Sequence, residues 1–238
     1  MFSSIKQQID KYSEYLDTNK TIALNIRKQL LENKFKGFLE EPIQKINFQK
    51  DGKVLGVDSG FIDSRLTGLD FCYIKSAGSY FEYNETLVKY DRLTLPKYSF
   101  KISESILQKD DVHKFVSINR LREELNLLYE GIKNKNPEYA LIDGNILPQA
   151  VDRPQNNSEL YPDYENLLQD FVKLYDLAKS QDVCLLGTVE DSRANSFLKL
   201  INEKDKKVDD ILFLNFLLED YEAISFFPIF SVESNLIY

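Results

Sequence analysis

Two short apolar runs, each ending in an aspartate followed closely by glycine, constrain this chain more than any other feature. The first is Lys53-Val54-Leu55-Gly56-Val57-Asp58-Ser59-Gly60; the second is Tyr139-Ala140-Leu141-Ile142-Asp143-Gly144. Small and β-branched apolar residues without a polar face predict short central strands covered on both sides. An acidic residue ending such a run is costly to bury without a counter-charge. Asp58 alone reads equally well as a turn cap or as a cation ligand. Repetition of the design favours the ligand, because two such strands side by side bring Asp58 and Asp143 together.

The rest of the chain supplies elements to arrange around that pair. Residues 2–38 carry helical spacing, with Ile5, Ile9, Tyr12 and Leu16 followed by Ile22, Leu24, Ile26, Leu30 and Leu31, and Pro42 closes the segment. A helical extension over 1–50 ahead of a domain over 51–238 is therefore expected. Residues 69–76 and 80–88 are strand-like, and Ala77-Gly78-Ser79 predicts a hairpin turn between them. Residues 93–111 read as loop. Val112 to Lys133 is an amphipathic helix with Ile118, Leu121, Leu125, Leu128 and Ile132 on one stripe.

After the Asp143 strand, residues 148–162 form a polar loop. A helix then carries Leu167, Leu168, Phe171, Leu174, Tyr175 and Ala178 on its apolar side. A buried strand at 183–189, a short helix at 196–202, a helix from Asp209-Asp210 through Leu218 and an apolar stretch at 223–230 complete the order. Strand, hairpin, helix, strand, helix, strand, helix predicts an α/β layered mixed sheet with an antiparallel hairpin and parallel strands. Right-handed crossovers place the Asp143 strand beside the Asp58 strand, with their carboxyl ends sharing one crevice.

Converging carboxylates need a counter-charge, which divalent Mg²⁺ or Mn²⁺ supplies; such ions assist attack of water on a phosphodiester. No histidine base is required, and the single histidine, His113, reads as a surface residue at a helix start. One histidine and two cysteines exclude a closed Cys/His zinc site. Cys72 and Cys184 both lie in apolar runs and read as reduced core residues. The formal net charge of −8 argues against a generic basic nucleic-acid coat. A local groove is still open, with Arg120, Arg153, Arg193 and Lys199 as the cations for phosphates and Phe and Tyr for base stacking. Surface ion pairs are the competing reading for each of those cations. Residues 1–16 are polar and the apolar runs are too short to span a bilayer, so a soluble cytoplasmic protein is expected.

Val57-Asp58-Ser59-Gly60, Arg120-x-x-x-Glu124, Leu141-Ile142-Asp143-Gly144, Gly187-Thr188-Val189-Glu190-Asp191-Ser192-Arg193 and Asp210 before an apolar helix occur in that order. Together they resemble the NurA nuclease family. The resemblance implies an RNase H-like fold and Mn²⁺-dependent single-strand endonuclease and 5′-to-3′ exonuclease activity. It also implies work with the hexameric ATPase HerA in DNA end resection and double-strand break repair. By that resemblance Asp58, Glu124 and Asp143 are catalytic metal ligands, and Asp210 is a further acidic member. Homodimerisation is expected on the same basis, with the amphipathic amino-terminal segment as its surface. Many members carry Lys where Glu190 stands, and the family commonly extends further than Tyr238, so a short or C-terminally truncated member is expected.

Helix geometry separates Glu123 from its neighbour Glu124. At about 100° per residue, Glu123 points roughly 180° from the apolar stripe and Glu124 only about 80° from its centre. Glu124 thus stands on the flank that meets the sheet, with Arg120 one turn earlier. Two other readings compete with the nuclease. The V-D-S-G turn resembles the first phosphate loop of actin-like and sugar-kinase ATPases, but no matching lobe, Walker loop or G-x-G-x-x-G is present. A non-catalytic RNase H-like scaffold for a ring ATPase is the other, and it has no need for three inward carboxylates.

Overall fold

A computed structural model describes residues 2–32, 34, 38–47, 50–66, 69–94, 99–103, 109–189, 196–201 and 209–226. In chain order these form α1 (Phe2–Leu31), β1 (Phe38–Lys45), β2 (Asp51–Leu66), β3 (Leu69–Asn84), β4 (Thr86–Thr94), β5 (Ser99–Ser103) and α2 (Lys109–Lys135). There follow β6 (Tyr139–Asp143), α3 (Tyr161–Ser180), β7 (Cys184–Thr188), α4 (Ser196–Leu200), α5 (Asp210–Leu217) and β8 (Glu222–Phe226). They group into two compact units, one of Gln49–Glu190 and one of Met1–Phe48 with Asp191–Tyr238. The sequence predicts a break near residue 50; the second, near 190, groups the last helix and strand with α1.

The 49–190 unit is a mixed sheet in the order β4-β3-β2-β6-β7, with β5 also paired to β3. β2 runs antiparallel to β3 and parallel to β6, and β6 runs parallel to β7. Helix α2 presents the expected stripe to this sheet. Ile118, Leu125, Leu128 and Ile132 are buried in one core with Leu55, Val57, Ile74 and Tyr80 of the strands. Leu167, Phe171, Leu174 and Ala178 of α3 join the same core. Each fully buried aliphatic or aromatic side chain contributes about 1.5–3 kcal/mol, so this layer is what secures the strand ends that matter for function.

Several local expectations need correction. The first apolar run does not end in a turn after Asp58, because β2 stays paired with β3 through Leu66. The amino-terminal segment is not helical up to Pro42, since Phe38–Lys45 is strand β1, paired with β8. The strand expected to be buried at 183–189 is largely exposed as β7, an outer strand. No hairpin turn occurs at Ala77-Gly78-Ser79, since β3 runs straight through those residues opposite β2. Gly78 is there for closeness: a Cβ at that position would stand 3.2 Å from Val57 Cγ1 and 3.3 Å from the Gly56 carbonyl oxygen. The chain reverses instead at Glu85, which sits at φ 60° and donates its amide to Asp51 Oδ1 at 2.8 Å. Part of the expected loop at 93–111 is strand, because β5 pairs with the long edge that β3 provides. Cys72 is buried as expected, whereas Cys184 is exposed on β7, an outer strand of the sheet order.

In the other unit, β1 pairs antiparallel with β8. Ala23, Ile26 and Leu30 of α1 share a core with Phe197, Leu198, Ile201, Phe213 and Leu217. Ile5, Ile9 and Tyr12, earlier on α1, are exposed.

Candidate active site

The register of β2 and β6 ends with Val57 opposite Ile142, and the next residue on each strand is an aspartate, Asp58 and Asp143. Glu124 comes to them from α2. Its residue is 0% exposed, while the Asp143 side chain is half exposed. Glu124 Oε1 accepts hydrogen bonds from the Ser59 hydroxyl and from Arg120 Nη1, the latter at 2.9 Å. The same Arg120 Nη1 lies 3.9 Å from Asp143 Oδ2. Ser59 donates its backbone N–H to Asp58 Oδ1 at 2.6 Å. Asp58, Ser59, Glu124, Arg120 and Asp143 are therefore linked in one continuous series.

Among the described residues, Glu124 Oε2 is buried without a hydrogen-bond partner. Burial pushes the Glu124 carboxyl up to about 7, against the opposing pull of the Ser59 hydrogen bond and the Arg120 charge; nearby Asp58 and Asp143 add to the rise. An unpaired acceptor in that setting costs on the order of 1–3 kcal/mol. The cost is one a cation would offset.

A cavity of about 200 Å³ adjoins the series, with Ser117, Arg120, Asp143, Asn145, Gln149 and Phe171 among its lining residues. The turn after Asp143 is held on two sides. Gly144 donates its amide to the Thr188 carbonyl at 2.8 Å, and the Tyr175 hydroxyl donates to the Ile146 carbonyl. Burial pushes the Tyr175 phenol up to about 12. Gly187 makes room for this turn, because a Cβ there would lie 2.5 Å from the Gly144 carbonyl oxygen. At the far side, Ser117 Oγ donates to Asp152 Oδ1 at 2.7 Å.

Of the residues singled out from sequence, Asp58, Glu124, Asp143 and Arg120 are gathered here. Glu124 turns inward, and Glu123 is partly exposed. Arg153 is exposed between β6 and α3, 3.5 Å from Asn156 Oδ1. Asp210 belongs to the other unit, where its two carboxylate oxygens accept the amides of Phe197 and Leu198 at 2.9 and 3.0 Å. Those bonds make it a cap on the first turn of α4. Lys199 is exposed on that same helix. Glu190 and Arg193 lie outside the described residues. Ser59 and Asn145 were not singled out as site residues by the motifs. Strand alternation marks Ser59, since it shares the side of Leu55 and Val57 that α2 covers; nothing local marks Asn145.

Among the described residues, no three Asp, Glu, His or Cys side chains stand together closely enough to hold a metal ion as placed. The donor set nonetheless fits Mn²⁺ or Mg²⁺ in its chemistry. It is made of hard carboxylate oxygens, and the bare Glu124 Oε2 is an acceptor that needs a positive partner. No described helix is long and apolar enough to cross a membrane.

The NurA domain model matches residues 52–232. No functionally curated protein matches the chain. Among solved structures, the NurA nuclease from Sulfolobus solfataricus is similar at 16% identity and a TM-score of 0.51, over 90% of this chain and 65% of that one. A NurA bound to dAMP and manganese aligns at 16% identity and a TM-score of 0.41, over 85% of this chain and 46% of that one. This chain thus spans less than two thirds of the length of either. The Sulfolobus likeness, with the sheet order described above, gives the fold as the layered mixed sheet of that nuclease. With more than half its length matched, the chain belongs to the NurA domain family.

Proposed function

We propose that the chain is a metal-dependent phosphodiesterase acting on DNA, with Asp58, Glu124 and Asp143 as the residues that hold a divalent cation. The observation that carries this reading is the buried Glu124 Oε2, without a hydrogen-bond partner among the described residues, beside Asp58 of β2 and Asp143 at the end of β6. When bound, Mn²⁺ or Mg²⁺ supplies positive charge to a phosphodiester and to the water that attacks it. Asp58, where the pairing of β2 with β6 stops, and Asp143, at the end of β6, present carboxylates from the sheet. Glu124 adds a third from the helix. Arg120 keeps Glu124 and Asp143 close to one another and brings a fixed positive charge to the phosphate side of the site. Glu124 would hold the cation as the ionised carboxylate, its proton passing to solvent.

Single-strand endonuclease and 5′-to-3′ exonuclease activity in end resection and repair, alongside a HerA-type ring ATPase, is the finer form of this proposal. It rests on family membership. Arg153, Arg193 and Lys199 remain proposed phosphate contacts, and Asp210 a proposed further acidic member. A homodimer is proposed from the exposed Ile5, Ile9 and Tyr12 of α1, which fall at helical spacing. A cytoplasmic location follows the same reading.

The test is incubation of purified protein with labelled single-stranded DNA and Mn²⁺, with and without chelator. Cleavage that needs Mn²⁺ and disappears in Asp58→Asn and Asp143→Asn is the expected result. Wild-type cleavage by both variants would remove the metal reading.

A further inference from the structure

Ser59 touches two of the three carboxylates with different atoms. Its backbone N–H donates to Asp58 Oδ1, and its hydroxyl donates to Glu124 Oε1. Strand alternation puts the Ser59 side chain on the side of buried Leu55 and Val57, which α2 covers, while its amide stays within reach of the Asp58 carboxylate. A substitution at position 59 leaves the backbone contact in place and alters only the side-chain one. The two contacts can therefore be separated by experiment.

The loading of Glu124 is lopsided. Ser59 and Arg120 both donate to Oε1, and Oε2 is left bare. The last torsion of a glutamate is soft and roughly two-fold, so the carboxylate plane is not set by the helix backbone. Donors on one oxygen orient that plane. Arg120 is shared between Glu124 and Asp143, the latter 3.9 Å away, whereas the Ser59 hydroxyl comes from a strand within the core layer.

We infer that Ser59 is a positioning residue whose hydroxyl holds Glu124 by Oε1 and so keeps Oε2 presented to a divalent cation shared with Asp58 and Asp143. The inference rests on the metal-dependent reading of the site. Partners that orient metal-holding side chains are typically worth about 10- to 100-fold in metal affinity.

Titration of Mn²⁺ into the full chain without DNA, followed by calorimetry or by the electron paramagnetic resonance of free Mn²⁺, tests it. Ser59→Ala is expected to bind Mn²⁺ about 10- to 100-fold more weakly. Ser59→Thr, which keeps a hydroxyl, is expected to bind like wild type. Wild-type affinity in Ser59→Ala overturns the inference and leaves the metal reading intact. Equal weakness of Ser59→Thr and Ser59→Ala also overturns it, since the hydroxyl is then not what matters. Absence of Mn²⁺ binding by the wild type removes the metal reading itself, and a loss confined to Asp143→Asn separates the two. Should Ser59→Ala fail to fold, Ser59→Cys takes its place, with weaker binding again expected because a thiol is a poor donor.

Discussion

A glutamate side chain is held largely out of water in each of the two compact units, Glu222 in one and Glu124 in the other, and the two are treated in opposite ways. In the unit built on α1, Glu222 is met by a forked guanidinium: Arg27 Nη2 donates to Oε1 at 2.8 Å and Nη1 to Oε2, which also accepts the Glu219 amide at 2.8 Å. The Arg27 hydrogen bonds hold that carboxyl down to about 2. Glu124, in the sheet unit, has both donors on one oxygen and none on the other, and burial lifts it to about 7. One carboxylate is satisfied and stabilises its unit; the other is left in need. A satisfied buried charge serves architecture, and one held unsatisfied against its own cost marks a place where a further charge is received.

The largest expected effect comes from swapping the two. Glu124→Gln should lower Mn²⁺-dependent cleavage by roughly 1,000-fold, because a group acting on the developing charge is removed. Glu222→Gln should leave cleavage per folded molecule unchanged. Single-turnover cleavage of labelled single-stranded DNA measures both, and equal losses would erase the contrast between the units.

Stability should depend on pH with opposite slopes from the two groups. The Glu124 carboxyl is raised from 4.5 to about 7 in the folded chain. Between those values the folded state binds more protons than the unfolded, so stability falls as pH rises through that window, by roughly 3 kcal/mol. Glu222 is depressed, so its contribution is present above about 4.5 and is lost as pH falls toward about 2. Urea unfolding of metal-free protein across this range should show both limbs. Glu124→Gln should flatten the upper limb alone; an upper limb unchanged in that variant would show that Glu124 is not its source.

Arg27→Ala leaves Glu222 without its fork and should cost roughly 3 kcal/mol in urea unfolding at neutral pH, the usual consequence of stranding one member of a buried pair. A loss below about 1 kcal/mol would place the pair with ordinary surface salt bridges. Smaller still, Gly187→Ala should push the turn after Asp143 and reduce cleavage about 10-fold, because small misplacements at a reacting centre are costly. The smallest effect is expected from Glu123→Gln, with cleavage near wild type. Activity lost there and kept in Glu124→Gln would reverse the assignment of the two neighbours.

Much of the sheet unit was legible because its signals are local and periodic. The stripe of α2 is buried where the 3.6-residue spacing puts it, and β6, α3, α4 and α5 lie close to their expected bounds. The same spacing distinguishes the buried Glu124 from the partly exposed Glu123. Ala77-Gly78-Ser79 lies within β3 rather than in a hairpin turn because small residues suit a turn and a close strand approach alike. Only the neighbouring Val57 tells which. β5 reads as loop from sequence because its five residues take their strand character from pairing with β3.

What the chain determined by itself is the pair of apolar runs ending in Asp58 and Asp143, the helix carrying Arg120 and Glu124 one turn apart, and the layered class that joins them. These follow from side-chain chemistry and short-range geometry, which need no partner distant in sequence. Tertiary structure alone decided that Ser59 reaches Glu124, that Oε2 is left bare, and that Asp210 spends both oxygens on the first turn of α4. A hydrogen bond between residues 65 positions apart depends on how a strand and a helix pack, and no local pattern encodes which oxygen a donor will find.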